Sequence, residues 1–368
     1  MIFNRRAKLA DRIADVEAAV RGRDGAAITR AVPRVWQAAQ QATVAELNEA
    51  LPRCAALLPT LGTAVGGQFS VLCGALVELG ARGDPLLAPV ADGLAGALAA
   101  ADRFRRGWQR VRGDQELPDP DDRSCLDAAH AALTQAYADE RDALDAVAGW
   151  YAVGTWAMPA ITLLQQSALV RATFPHRERL LALGAELAGQ RTDLECVLGL
   201  LRVLDGEPLL VLHRPTGRGW RVDIDGVADN FQLHTLLAGA LCGPAEQGLI
   251  EGPTVDPSWV EVATDAPEER FGGTVVGCFD LVDGHGKWIW DEGAPADIPL
   301  FDDARVVVLD PPSYQRSWNN IRRFPLMPAA LTVTATLTPA EATEWLARVA
   351  PPAGAPGRVS AGSRHPNA

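Results

Sequence analysis

Pro208-Leu-Leu-Val-Leu-His213, Arg214-Pro-Thr-Gly-Arg-Gly219 and Trp220-Arg-Val-Asp-Ile224 form the stretch at which the chain changes its grammar. The first run is continuously apolar, as a strand covered on both faces is. The last alternates, with Trp220, Val222 and Ile224 to one side and Arg221 and Asp223 to the other. Two such runs around a Pro/Gly-rich turn predict a β-hairpin. Downstream, a helix is expected from Asp229 or Asn230 to about Cys242, closed by Gly243-Pro244. Further strands are predicted at 274–282, 287–290, 305–309 and 331–337. Thr338-Pro-Ala-Glu341 opens a last helix, with Thr338 as N-cap and Glu341 as its capping-box partner. Few helices separate these strands, so residues 205–350 are expected to form a mostly antiparallel α+β domain.

Upstream the text is helical. Ala, Leu, Arg, Glu and Gln dominate residues 1–204, with turn-like breaks at 22–25, 80–85 and 117–122. In the window 126–151, Leu126, Leu133, Tyr137, Leu144, Val147 and Tyr151 recur at helical spacing. Around 69–100 an apolar helix, a Gly/Asp/Pro turn and a second apolar helix follow one another, as in stacked helical pairs. No clean period repeats, so the first domain is either a helical bundle or an irregular helical-repeat domain. The fold class expected is therefore α+β, a helical domain followed by an α+β domain. Residues 351–368, rich in Pro, Gly, Ser and Arg, are expected to be a disordered tail.

The 368 residues carry a net charge of −12, from 34 Lys+Arg against 46 Asp+Glu. That balance argues against broad affinity for nucleic acid or anionic membrane. Only Lys8 and Lys287 are lysines. Six cysteines, at 54, 73, 125, 196, 242 and 278, form no C-x-x-C pair, and their apolar surroundings read as reduced core. No apolar stretch follows the charged start, so no signal peptide is read and a cytoplasmic protein is expected. Two long uncharged windows, 54–77 and 146–170, contain Pro, Gly and Gln and are read as buried helices, not membrane spans.

The sharpest motif is Val306-Val-Val-Leu-Asp310-Pro-Pro-Ser-Tyr314. A strand ending in Asp-Pro-Pro-x-aromatic resembles motif IV of the class I S-adenosylmethionine-dependent methyltransferases. That resemblance implies a Gly-rich cofactor loop several strand–helix units earlier. The one counterpart, Phe279-Asp-Leu-Val-Asp-Gly-His-Gly286, lies about 24 residues ahead, so the turn is read as terminating a strand. No family is assigned and no cofactor is expected.

Asp223, Asp225, Asp229, Asn230 and His234 cluster in sequence, with Asn230 and His234 sharing a helix face. A histidine beside carboxylates suits acid–base work; the plainer account is a turn, a cap and a half-buried imidazole. His213, His234, His285, Cys242 and Cys278 lack ligand spacing, so no metal site is expected. Arg103-Phe-Arg-Arg-Gly-Trp-Gln-Arg-Val-Arg112 interleaves cations with rings, yet closes a helix, where cations suit the dipole. Acidic residues 114–122 follow and are expected to neutralise it. Finally, Trp288 and Trp290, and then Tyr314, Arg316 and Trp318, are residue types favoured at interface hot spots.

Two functions are expected from these features. The first is an interaction or adaptor protein: a helical scaffold whose α+β domain presents Trp288, Trp290, Tyr314, Arg316 and Trp318 to another protein. The second is an enzyme acting on a small molecule in a cleft between the halves, with His234, Asp229, Asn230 and Asp310 as acid–base or polar contacts.

Overall fold

A computed structural model describes residues 8–245, 249–251, 255–267 and 273–353. Most of the expected tail, 354–368, lies outside them. The chain divides into two compact units, one ending at Arg202 and one beginning at Val203.

The first unit is helical. Its centre is the helix Glu140–Leu164, packed against Thr63–Glu78 and Leu87–Arg112. The approach to the latter is close because Gly149 has no side chain: a Cβ there would sit 2.3 Å from that of Ala100. Glu140–Leu164 is apolar and long enough to cross a bilayer, and 72% of its most apolar window is buried inside the protein. The period read across 126–151 is interrupted. One helix, Leu126–Leu133, ends there, and Asp139 caps the next by accepting the Arg141 N–H at 2.8 Å. The arginine run closes Leu87–Arg112 as expected, but its observed ion pairs lie elsewhere. Arg105 and Arg106 both reach back to Asp102, each at 2.7 Å, one turn earlier on the same helix. Arg112 lies over Trp108.

The second unit is α+β. Its strands are β1 (Asp205–His213), β2 (Arg218–Asp225), β3 (Cys242–Gly243), β4 (Ile250–Glu251), β5 (Thr274–Val276), β6 (Asp280–Asp283), β7 (Leu300–Phe301), β8 (Ala304–Asp310), β9 (Ser317–Asn319) and β10 (Ala330–Thr336). The main sheet runs β10-β2-β1-β8-β6, with β7 also on β8. Every pairing in it is antiparallel except β1 with β8, which run parallel from Leu209↔Arg305 to His213↔Leu309.

Alternation along the strands builds two cores. Leu209, Val211, Trp220, Val222, Ile224, Leu281, Val307 and Leu309 face the helices Asn230–Leu241 and Pro257–Thr264. Leu210, Leu212, Val282, Val306 and Val308 face the helix Pro339–Arg348. Strands β1 and β8 are thus covered on both sides, which is why both read as unbroken apolar runs.

Two predicted strands differ from the structure. Residues 287–290 form no strand; a single bridge joins Trp288 to Val282. The Asp283 carboxylate accepts the N–H groups of His285 and Lys287, each at 2.9 Å, and turns the chain away. The run 274–282 splits into β5 and β6, because side chains take the backbone bonds of the segment between them.

Candidate functional site

The parallel strands β1 and β8 end side by side, at His213 and Asp310, and prolines follow both: Pro215 in one case, Pro311 and Pro312 in the other. Proline donates no N–H and stops the ladder. At these carboxyl ends, where open α/β sheets leave a crevice, lies a cavity of about 390 Å³. Its walls are mainly apolar, from Ile250, Val255, Trp259, Val276 and Phe279, with His213, Asp310, Cys242 and Cys278 among them.

Each polar group there has a definite state. His213 Nδ1 is 2.8 Å from the Thr216 hydroxyl, and among the described residues no hydrogen bond reaches Nε2. Burial pushes the His213 imidazole below its usual range, against the pull of the Asp310 charge. It is therefore neutral at pH 7. Asp310 Oδ1 accepts from Arg214 Nε at 2.8 Å, while Oδ2 has no hydrogen-bond partner among the described residues. The Cys242 thiol is hydrogen-bonded to Cys278, which pulls the Cys278 thiol down to about 7 and pushes Cys242 well up. A thiol near 7 is substantially thiolate, the nucleophilic form, at neutral pH.

The segment bearing Cys278 is held from behind by two residues read from the sequence. His234 is fully buried on Asn230–Leu241, and its Nε2 accepts the Cys278 N–H at 3.2 Å. Its ring packs on Phe279 (4.5 Å) and, edge on, against Trp318 (4.9 Å). Burial and the Arg316 charge push the imidazole down to about 3, so it serves as a neutral acceptor. Arg316 donates to the Phe279 carbonyl at 2.8 Å and to Asp291 at 2.7 Å, with its side chain 7% exposed. Its guanidinium lies over Trp288 at 4.9 Å. Burial, partly offset by Arg316, raises Asp291 to about 6.

The other expected residues separate into framework and surface. Asp229 caps Asn230–Leu241 by accepting the Gln232 N–H at 2.8 Å, and burial raises it to about 6. Asn230 donates its side-chain N–H to the Trp290 carbonyl at 2.7 Å, and its backbone N–H reaches the carbonyls of Asp291 and Gly293. Trp318 sits in β9, opposite Val275 of β5, and packs on Phe231 and His234. Trp288 and Tyr314 stack at 6.2 Å. Tyr314 is 53% exposed and Trp290 63%. Of the four residues expected as acid–base or polar contacts, Asp310 alone borders the 390 Å³ cavity.

From the sequence His213 is weighed as a metal ligand, Cys242 and Cys278 as that or as reduced core residues, and Trp259 carries no signal. One sequence signal marks the place: an apolar run, one or two polar residues and then proline, in Val211-Leu-His213-Arg-Pro215 and again in Val308-Leu-Asp310-Pro-Pro312. Nothing in spacing brings Cys242 to Cys278. Among the described residues no cluster of three or more His, Cys, Asp or Glu side chains is arranged to hold a metal ion.

Compared with known proteins, the sequence matches no family model, no curated protein and no solved structure.

Proposed function

We propose that the second unit binds a small, mainly apolar molecule in the cavity at the carboxyl ends of β1 and β8. On this reading His213 Nε2 meets the ligand's one polar hydrogen-bonding group, and the Cys278 thiolate lies beside it. One observation carries the proposal: a mainly apolar cavity of about 390 Å³ whose few polar groups are a neutral histidine, the Asp310 carboxylate with an oxygen unpartnered among the described residues, the exposed Glu251 and a thiol pair. Binding sites have this composition, largely hydrophobic walls with a few placed polar groups. His234, Arg316 and Asp291 act as positioning residues, because they fix the Cys278–Phe279 backbone that lines the cavity.

The test uses Val276, which lines the cavity and is 43% exposed, so enlarging it costs little packing. A fragment library is screened against the full-length protein by ligand-detected NMR, followed by Val276→Trp. Apolar fragments with one polar end are expected to bind the wild type and to lose binding at least tenfold in the variant, at unchanged melting temperature. Fragments that bind both proteins equally would place the site elsewhere.

A second reading, a recognition surface for another protein, is favoured by the exposure of Trp290 and Tyr314. Arg316 and Trp318 then support the surface from within. Changing both exposed rings to Ala is expected to leave the melting temperature unchanged and remove a stoichiometric partner from a native pull-down. If no partner co-purifies with the wild type, this second reading fails.

A further inference from the structure

Four of the six cysteines form two thiol pairs. Cys73 is hydrogen-bonded to Cys54 inside the helical unit, where both are sealed, at 0% and 1% exposure. Cys242 and Cys278 form the other pair, in the wall of the cavity, with Cys278 partly exposed. Cys125 and Cys196 lie outside both pairs; Cys125 is bonded to the Asp122 carboxylate at 3.4 Å. One thiol pair in the protein is therefore both paired and reachable.

We propose that Cys242 and Cys278 form a reversible redox site, in which a peroxide that enters the cavity oxidises Cys278 and Cys242 resolves it to a disulfide. Three observations support it. Cys242 and Cys278 both line the 390 Å³ cavity although they come from parts of the chain far apart in sequence. The cavity gives a small oxidant a route to them. The backbone carrying Cys278 is held by His234 and Arg316, so the thiolate is presented by a fixed segment. The Cys278 thiol, pulled down to about 7 by the Cys242 hydrogen bond, supplies the nucleophile.

The chemistry balances as follows. The Cys278 thiolate attacks one peroxide oxygen, the O–O bond breaks, and the departing oxygen leaves with the electron pair as hydroxide or alkoxide. Sulfur, oxidised by two electrons, becomes the sulfenic acid. Cys242 then gives up its proton, attacks that sulfur and expels hydroxide, which leaves as water, forming the S–S bond. Overall, two thiols and one peroxide yield a disulfide, one water and one alcohol (or a second water). Two equivalents of a small thiol reverse the step by exchange. The consequence is a change in the cavity wall, from a thiolate to an uncharged disulfide. The site does not depend on the cavity's ligand, so it stands even if the proposed binding function fails.

The experiment treats the full-length protein with one equivalent of hydrogen peroxide, blocks remaining thiols and maps peptides by non-reducing mass spectrometry. A Cys242–Cys278 bridge is expected as the first product, with Cys54 and Cys73 still reduced, and dithiothreitol should remove it. In Cys242→Ser, dimedone is expected to label Cys278 as the trapped sulfenic acid. The proposal is overturned if wild-type Cys278 stays reduced, if it stops at sulfenic acid without the bridge, or if Cys125 or Cys196 oxidises ahead of it. Because the wild-type map alone decides these outcomes, misfolding of the serine variant does not protect the idea.

Discussion

His234 is the residue at which the fold and the site meet. Its imidazole accepts the Cys278 N–H from inside an aromatic cage, and protonation would place a charge where no water solvates it. The pH dependence has a definite sign. The unfolded imidazole titrates near 6.5 and the folded one at about 3. The stability lent by the neutral ring is therefore fully present above pH 6.5 and lost progressively as pH falls towards 3. Asp229 and Asp291 act oppositely. Raised to about 6, they cost stability as pH climbs from 3.8 to 6. Comparing variants at each pH isolates the histidine. His234→Phe keeps the ring packing and leaves the Cys278 N–H unpaired, which costs about 1–3 kcal/mol at pH 7. Urea unfolding at pH 7, 6, 5 and 4 is expected to show that gap narrowing steadily, because only the wild type pays for protonation. Parallel curves would mean that His234 is not held neutral.

At the scale of elements, the sequence was most legible where local chemistry and tertiary packing agree. Thr338 and Glu341 form the reciprocal capping box read from their spacing. The hairpin of β1 and β2 turns at Gly217, whose φ of +69° suits a residue without a Cβ. Strands β8 and β10 lie within a residue of their expected bounds. Legibility failed where side chains replace backbone partners. Residues 274–282 have the composition of one strand, yet the Cys278 N–H goes to His234 and the Phe279 carbonyl to Arg316, so the ladder breaks. Residues 287–290 alternate like a strand but are turned by the Asp283 carboxylate. In the helical unit the apolar period spans a real break: Leu133, Val147 and Tyr151 are buried and the Tyr137 hydroxyl donates to the Arg103 carbonyl at 2.6 Å, but Leu144 is 49% exposed. Periodicity marks most of the residues that face a core, and it does not report whether the helix between them is continuous.

For the molecule as a whole, the candidate chemistry gathers in the second unit. The cavity, the thiol pair, the buried His234–Arg316–Asp291 support and the exposed rings Trp290 and Tyr314 all belong to it. Of the residues expected to perform acid–base work, Asp229 caps a helix, Asn230 ties the 290–293 loop to that helix's N-terminus, His234 holds the segment of Cys278 and Asp310 lines the cavity. The cavity gathers 213, 242, 278 and 310, four positions that no spacing rule joins. The parallel register of β1 and β8 brings 213 beside 310, and that register is a tertiary fact. The most direct measurement is a crystal structure of the full-length protein soaked with fragments that bind it in solution. Density is expected for a fragment between His213, Trp259 and Cys278, its polar end within hydrogen-bond distance of His213 Nε2. Fragments found only elsewhere, with the cavity closed by its own side chains, would contradict it.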